Sequence, residues 1–167
     1  SKYLNSGETL IYDKSKILYG LYTSKKAISK TDKCFIVEGY TDVISMHQNG
    51  IQNVVSASGT ALSYSQIHLI KRLTNNVVLL FDGDEAGIKA TIRSIDICLK
   101  GEMNVRIVSF PKGEDPDSFS KKLSTIEFQD FLEKKSINFV DYLIEIYKLN
   151  DQTDPAKIIN IKKKIIS

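Results

Sequence analysis

The sequence predicts an α/β fold, with about four parallel strands flanked by helices and a small helical subdomain behind them. Three observations predict it. Four short runs, at 33–37, 53–56, 76–81 and 104–109, are near-continuous in Val, Ile, Leu and Phe, as in strands covered on both faces. Between them, 41–49, 63–73 and 85–100 have the length and period of helices. Strand–helix–strand repeated three times requires right-handed crossovers, and hence a parallel sheet.

The elements follow in order. Residues 14–30 place Ile17, Leu18, Leu21, Tyr22 and Ile28 on one broad helical face. Asp42 or Thr41, Ser63 and Asp84 are candidate N-caps for the three crossover helices, and Gly50 and Gly101 candidate C-cap glycines. Beyond Pro111 the pattern changes: 112–118 is a polar Gly/Pro/Asp loop, where Asp117 is another candidate N-cap. Residues 124–135, 137–148 and 155–166 then read as helices. Internal repeats and low-complexity tracts are absent.

The 167 residues suit one domain plus a small appendage, and 42% hydrophobic with 26% charged residues is an ordinary globular composition. No apolar run reaches membrane-spanning length, so a membrane partner is not expected. Cys34 and Cys98 lack paired spacing and read as buried thiols, which fits a reducing, cytoplasmic setting. The net charge of +3 is uneven: +4 over residues 1–33, −3 over 34–120 and +2 over 121–167. An acidic centre between basic flanks is compatible with a metal site that faces polyanions. The chain opens on Ser1, directly before a motif, which reads as an excised fragment.

The chemistry lies where two strands end. Phe35-Ile36-Val37-Glu38-Gly39-Tyr40-Thr41-Asp42 and Val77-Val78-Leu79-Leu80-Phe81-Asp82-Gly83-Asp84 are apolar runs that stop at carboxylates and a glycine. In a parallel sheet both stops fall on one edge, where ligands bind in open α/β folds. The loop after the fourth strand adds Glu114, Asp115 and Asp117. Each acid alone has a bland reading as a cap or turn residue. Jointly they are costly, because two carboxylates about 4 Å apart repel by about 1–4 kcal/mol between the dielectric of water and that of a protein surface. With no Arg in these segments, a cation is expected to offset the repulsion. Oxygen-only donors point to Mg²⁺ or Mn²⁺, whereas His47 and His68 stand alone and read as surface or packing residues. Such equipment suits phosphoryl or nucleotidyl transfer.

These residues carry a family resemblance. Glu38-Gly39-Tyr40-x-Asp42 with Asp82-x-Asp84-x-Ala86-Gly87 resembles the TOPRIM domain, a Rossmann-like fold shared by primases, topoisomerases and some nucleases. Phe81-Asp82-Gly83-Asp84-x-Ala86-Gly87 with Pro111-x-Gly113-x-Asp115-Pro116-Asp117 is more specifically similar to bacterial DnaG-type DNA primases. So are the opening Lys2-Tyr3-Leu4-Asn5-Ser6-x-Glu8-Thr9, Lys14, Leu18-Tyr19-Gly20-Leu21 and Ser58-Gly59-Thr60-Ala61. The resemblance implies a division into 1–31, a linker and helix from the N-terminal part of the polymerase domain; 32–122, the TOPRIM domain; and 123–167, a partial helical subdomain. It implies a DNA-dependent RNA polymerase making short primers from NTPs on a single-stranded DNA template, through an RNA–DNA hybrid. Glu38, Asp82 and Asp84 would be the catalytic and metal-binding core, on more than one Mg²⁺ or Mn²⁺ ion. Asp42, Asp115 and Asp117 would complete the metal set, and Lys2, Lys14 and Asn5 would hold nucleotide or nucleic-acid phosphate.

The family's zinc-binding domain, basic polymerase wall and helicase-binding C-terminal domain have no counterpart in these residues. Zinc and the replicative helicase are therefore expected only through parts outside this chain, and the fragment alone is expected to make little or no primer. Three other readings stay open. One is another TOPRIM enzyme, a nuclease or topoisomerase, although no tyrosine here is marked as a nucleophile. Another is a metal-free module that binds nucleotides or a partner. The third is a phospho-acceptor receiver domain, which gives no reason for Glu38-Gly39-Tyr40.

Overall fold

The computed structural model describes residues 7, 9, 13–57 and 61–150. They form strands β1 (Cys34–Val37), β2 (Val54–Ser56), β3 (Asn76–Phe81), β4 (Asn104–Ser109) and β5 (Ile137–Asn138). The helices are α1 (Leu21–Thr31), α2 (Tyr40–Gln48), α3 (Tyr64–Lys71), α4 (Glu85–Lys100), α5 (Pro116–Ser120), α6 (Thr125–Lys135) and α7 (Phe139–Asn150), with a 3₁₀ turn at Lys14–Lys16. The strands lie in the order β2-β1-β3-β4-β5, and the first four are parallel as expected.

Alternation along the strands sends side chains to two cores. Ile36, Leu79, Phe81 and Ile107 face Ile67, Ile70, Ile95 and Tyr142 on one side. Phe35, Val37, Val78, Leu80 and Val108 face Val43, Met46, Phe128 and Leu132 on the other. Each fully buried aliphatic or aromatic side chain contributes about 1.5–3 kcal/mol, so the doubly covered central strands hold the acid-bearing loops in place. Cys34 and Cys98 are free and buried, and burial pushes the Cys98 thiol up to about 12.

Several local expectations are corrected. The helical face over 14–30 is two elements, because Gly20 at φ +82° separates the 3₁₀ turn from α1. The stretch 137–148 begins as a strand: Ile137 and Asn138 pair antiparallel with Ile107 and Arg106, adding a fifth strand beside β4. The polar loop 112–118 contains the start of α5, capped by Asp115 and not Asp117. Ser63 and Asp84 cap α3 and α4 as expected, but the cap of α2 is Gly39, with Asp42 at its third position reaching back to the Gly39 N–H. Gly101 is the C-cap of α4 without a left-handed backbone; Glu102 takes the positive φ instead. The segments holding Lys2, Asn5, Ser58–Thr60 and the helix expected at 155–166 lie outside the described residues.

Candidate metal centre

Strands β1 and β3 end side by side, with Val37 opposite Leu80. Glu38 therefore comes level with Phe81, and its carboxylate accepts a hydrogen bond from the next backbone N–H, that of Asp82. This brings together two acids 44 residues apart in the sequence. Burial raises the Glu38 carboxyl above its usual range; the Asp82 N–H opposes this and the Asp84 charge adds to it. At Asp82 burial comes first, and every charged neighbour acting on it is negative: Glu38, Asp115, Asp42 and Asp84 push its carboxyl up to about 7.

The backbone that presents Asp82 is held by close approach. A Cβ on Gly87 would lie 2.2 Å from the Asp82 carbonyl oxygen, and one on Gly83 2.7 Å from that of Phe110. Only glycines let α4 and the end of β4 close on the loop between them. Asp84 then turns one oxygen to the helix, accepting from the Gly87 N–H at 2.7 Å, where the positive end of the helix dipole suits a carboxylate.

The other three acids are knit into α2 and α5. Asp42, 7% exposed, accepts from the Gly39 N–H at 3.0 Å with one oxygen and from the Asp117 N–H at 3.3 Å with the other. Burial, with the charges of Asp115 and Asp117, outweighs these bonds and raises its carboxyl to about 6. Asp115 accepts from the Ser118 N–H at 2.6 Å. Asp117 accepts from the buried Ser45 hydroxyl and pairs with Lys121 at 2.7 Å.

Lysine counter-charges reach the outer acids of the set. Lys121 lies four residues from Asp117 on α5 and its cap, and Lys122 pairs with Glu114. Glu38, Asp82 and Asp84 keep their mutual repulsion. Among the described residues no three acids, histidines or cysteines close into a ligand shell by themselves. The donor set nonetheless fits a hard divalent ion, since Mg²⁺ usually takes one or two carboxylates and fills its octahedron with water and substrate phosphate.

Two clefts flank the edge. One, of about 270 Å³, opens beside Glu38 between Ile36, Leu62, Phe81, Ala90 and Arg93. Arg93 was not singled out from the sequence, although Ala90, Arg93, Ser94 and Ile97 share one helical face. The other, of about 580 Å³, lies beyond β2 and is lined by Lys14, Tyr19, Tyr22, Ile44 and His47; none of the six acids borders it. His47 is half-buried, 3.2 Å from the Ser24 hydroxyl, with its ring pKa lowered by burial. His68 is exposed. Ser45 was also missed, and its contact with Asp117 spans a sequence distance that leaves no local signal.

An open parallel α/β domain with repelling carboxylates on the carboxyl edge of its sheet is the class this geometry defines. The chain belongs to the Toprim-like family, whose profile matches residues 35–120. It is 40% identical over 147 residues to a DNA primase of Staphylococcus epidermidis, covering 88% of this chain and 25% of the relative. A crystal structure of a DNA primase domain from Pseudomonas aeruginosa superposes with a TM-score of 0.82 at 37% identity, over 93% of this chain and 49% of that one. A DnaG primase catalytic domain bound to single-stranded DNA gives 0.82 at 33% identity, over 96% and 54%. The chain spans about a quarter of the length of such curated relatives. The motif resemblance to DnaG-type primases therefore extends along most of the chain, and among the described residues no helix is long and apolar enough to cross a membrane.

Proposed function

We propose that this chain is part of the catalytic core of a DNA primase, in which it carries the metal centre for nucleotidyl transfer to a growing RNA primer. The observation that carries the reading is Asp82: half-buried, surrounded by negative charge, and raised to about 7. A carboxylate so placed gains most from an arriving cation. Glu38 and Asp82 would hold the ion, together with the Asp84 oxygen not given to the Gly87 N–H. When bound, the ion would supply Lewis-acid activation of the attacking hydroxyl and charge relief on the phosphates. The protein's own part is to fix the carboxylates on two rigid strand ends.

In this reading Asp42, Asp115 and Asp117 set the position of the neighbouring loops, and Lys2, Lys14 and Asn5 serve phosphate. The template is single-stranded DNA, in keeping with the DNA-bound relative, and NTPs are the substrates. The helicase and any zinc belong to other parts of the longer protein, which acts in the cytoplasm.

Mn²⁺ titration followed by electron paramagnetic resonance tests the metal assignment. Asp82→Ala and Asp84→Ala are expected to weaken binding at least tenfold, and unchanged binding in both would refute it. Primer synthesis and DNA cleavage by the full-length parent, assayed side by side, test the activity. Loss of synthesis in Asp82→Ala supports the primase reading, whereas cleavage without synthesis makes the protein a nuclease of the same family.

A further inference from the structure

Helix α2 leaves the acid edge directly behind Glu38, with Gly39 as its N-cap. Asp42, Ser45 and the C-cap Asn49 follow at intervals of three and four residues, so they lie on one face of it. Each of them bonds to α5. Asp42 accepts from the Asp117 N–H, the buried Ser45 hydroxyl donates to the Asp117 carboxylate, and the Asn49 amide donates to the Ser120 carbonyl at 2.8 Å. Ser120, itself fully buried, closes the seam by donating its hydroxyl to the Asp117 carbonyl at 3.1 Å.

Asp117 is the hub of this seam, because its N–H, its carbonyl and its carboxylate are all engaged. Lys121 shares the carboxylate, but it is exposed, and an ion pair open to water holds a side chain loosely. The Ser45 bond is buried and charge-assisted, which makes it the stronger restraint. A serine within a helix can turn its hydroxyl back to the carbonyl four residues earlier. Ser45 instead gives its one proton to another element, 72 residues on.

What the seam holds in place carries charge. Asp115 caps α5, with Pro116 fixing the backbone between it and Asp117, and its charge acts on both Asp82 and Asp42. We propose that Ser45 is a positioning residue for the metal centre: by tying Asp117 to α2 it locks α5 to the helix behind Glu38, and so sets where the Asp115 carboxylate stands relative to Asp82. The inference rests on the metal reading and extends it to a neutral side chain outside the acid set. Partners that orient the carboxylates of a metal site change its affinity about 10–100-fold when they are removed.

The test is Mn²⁺ titration of the 167-residue chain by electron paramagnetic resonance. Ser45→Ala is expected to weaken binding about tenfold, and Asn49→Ala to act in the same direction but less. Ser24→Ala is the control, because Ser24 on α1 is also buried and its hydroxyl donates to the Val54 carbonyl at 2.8 Å. It should leave Mn²⁺ affinity unchanged. In an Asp117→Ala background the loss of the Ser45 hydroxyl should add less than about twofold, since the two side chains act as one unit. A metal-free readout is amide hydrogen exchange in EDTA, where Ser45→Ala should speed exchange at the Asp117 and Ser118 N–H groups about tenfold. Circular dichroism checks that each variant is folded. Equal weakening by Ser24→Ala and Ser45→Ala, additive losses in the double variant, or unchanged exchange would overturn the proposal. Unchanged Mn²⁺ affinity in Ser45→Ala beside the loss expected for Asp82→Ala would overturn it and leave the metal reading intact, whereas unchanged affinity in both would end the two together.

Discussion

At the edge of the sheet where the parallel strands begin, Asp32 accepts from the Thr74 hydroxyl at 2.7 Å and from the Asn76 amide at 2.9 Å. Asn76 in turn accepts from Asn104 at 2.9 Å, and Asn53 donates to the Lys33 carbonyl at 2.9 Å. At the opposite edge Asp82 is surrounded by Glu38, Asp115, Asp42 and Asp84. Both edges use short polar side chains to terminate strands. The first is satisfied by neutral amides and hydroxyls and holds the fold together. The second leaves like charges facing one another, which costs stability and is the repulsion that the proposed cation would relieve. The difference teaches where to look for chemistry: at the polar groups whose neighbours do not complement them.

The sharpest way to break the comparison is Gly87→Ala. Its Cβ would meet the Asp82 carbonyl oxygen at 2.2 Å, backbone against helix, with no flexible side chain to yield. A loss of about 3 kcal/mol or more is expected in urea denaturation, together with loss of Mn²⁺ binding, because the clash falls on the residue that presents the carboxylate.

Asp82→Asn comes next and has the opposite sign on stability. The folded value of about 7 lies above the ordinary 3.8, so the native state holds this proton more tightly than the unfolded chain does. The cost of Asp82 is therefore absent below about pH 4, grows as the pH rises to about 7 and is constant above that. Asparagine removes it, raising stability by about 1–2 kcal/mol near pH 8 once solvent screening of a half-buried group is allowed for. Near pH 3 the variant and wild type should melt alike. The smallest effect is expected from Asn76→Ala at the opposite edge, about 1 kcal/mol for the lost hydrogen bonds, with Mn²⁺ affinity unchanged. Equal losses of metal binding in the Asn76 and Asp82 variants would show that the two edges are not functionally distinct.

Much of this division was legible in the residues. Apolar runs located all four parallel strands to within a residue or so; β1, β2 and β3 are buried on both faces and need no alternation. In contrast β4, expected to be covered likewise, exposes Asn104, Arg106 and Ser109, and the face that bears Asn104 and Arg106 is packed only through Val108. Ser63 and Asp84 were visible as caps because a side-chain oxygen before a helix has a defined partner two or three residues on. The two-residue β5 was not visible: Ile137-Asn138 has no pattern of its own and is defined only by β4 beside it. The ties of Asp42 and Ser45 to Asp117 join distant segments and exist only once α2 lies against α5. The Lys121–Asp117 pair has helical spacing, but α5 is five residues long and begins inside a stretch that reads as loop.

The two outer strands of the sheet have a practical consequence. A free strand edge is a template on which other chains can add. Here Tyr19 occupies the outer side of β2 at Ser56, and β5 occupies part of the outer side of β4. Among the described residues each cover is short, yet each interrupts the row of donors and acceptors that a stacking strand would need. A chain built this way should resist edge-to-edge aggregation and can be concentrated for titration.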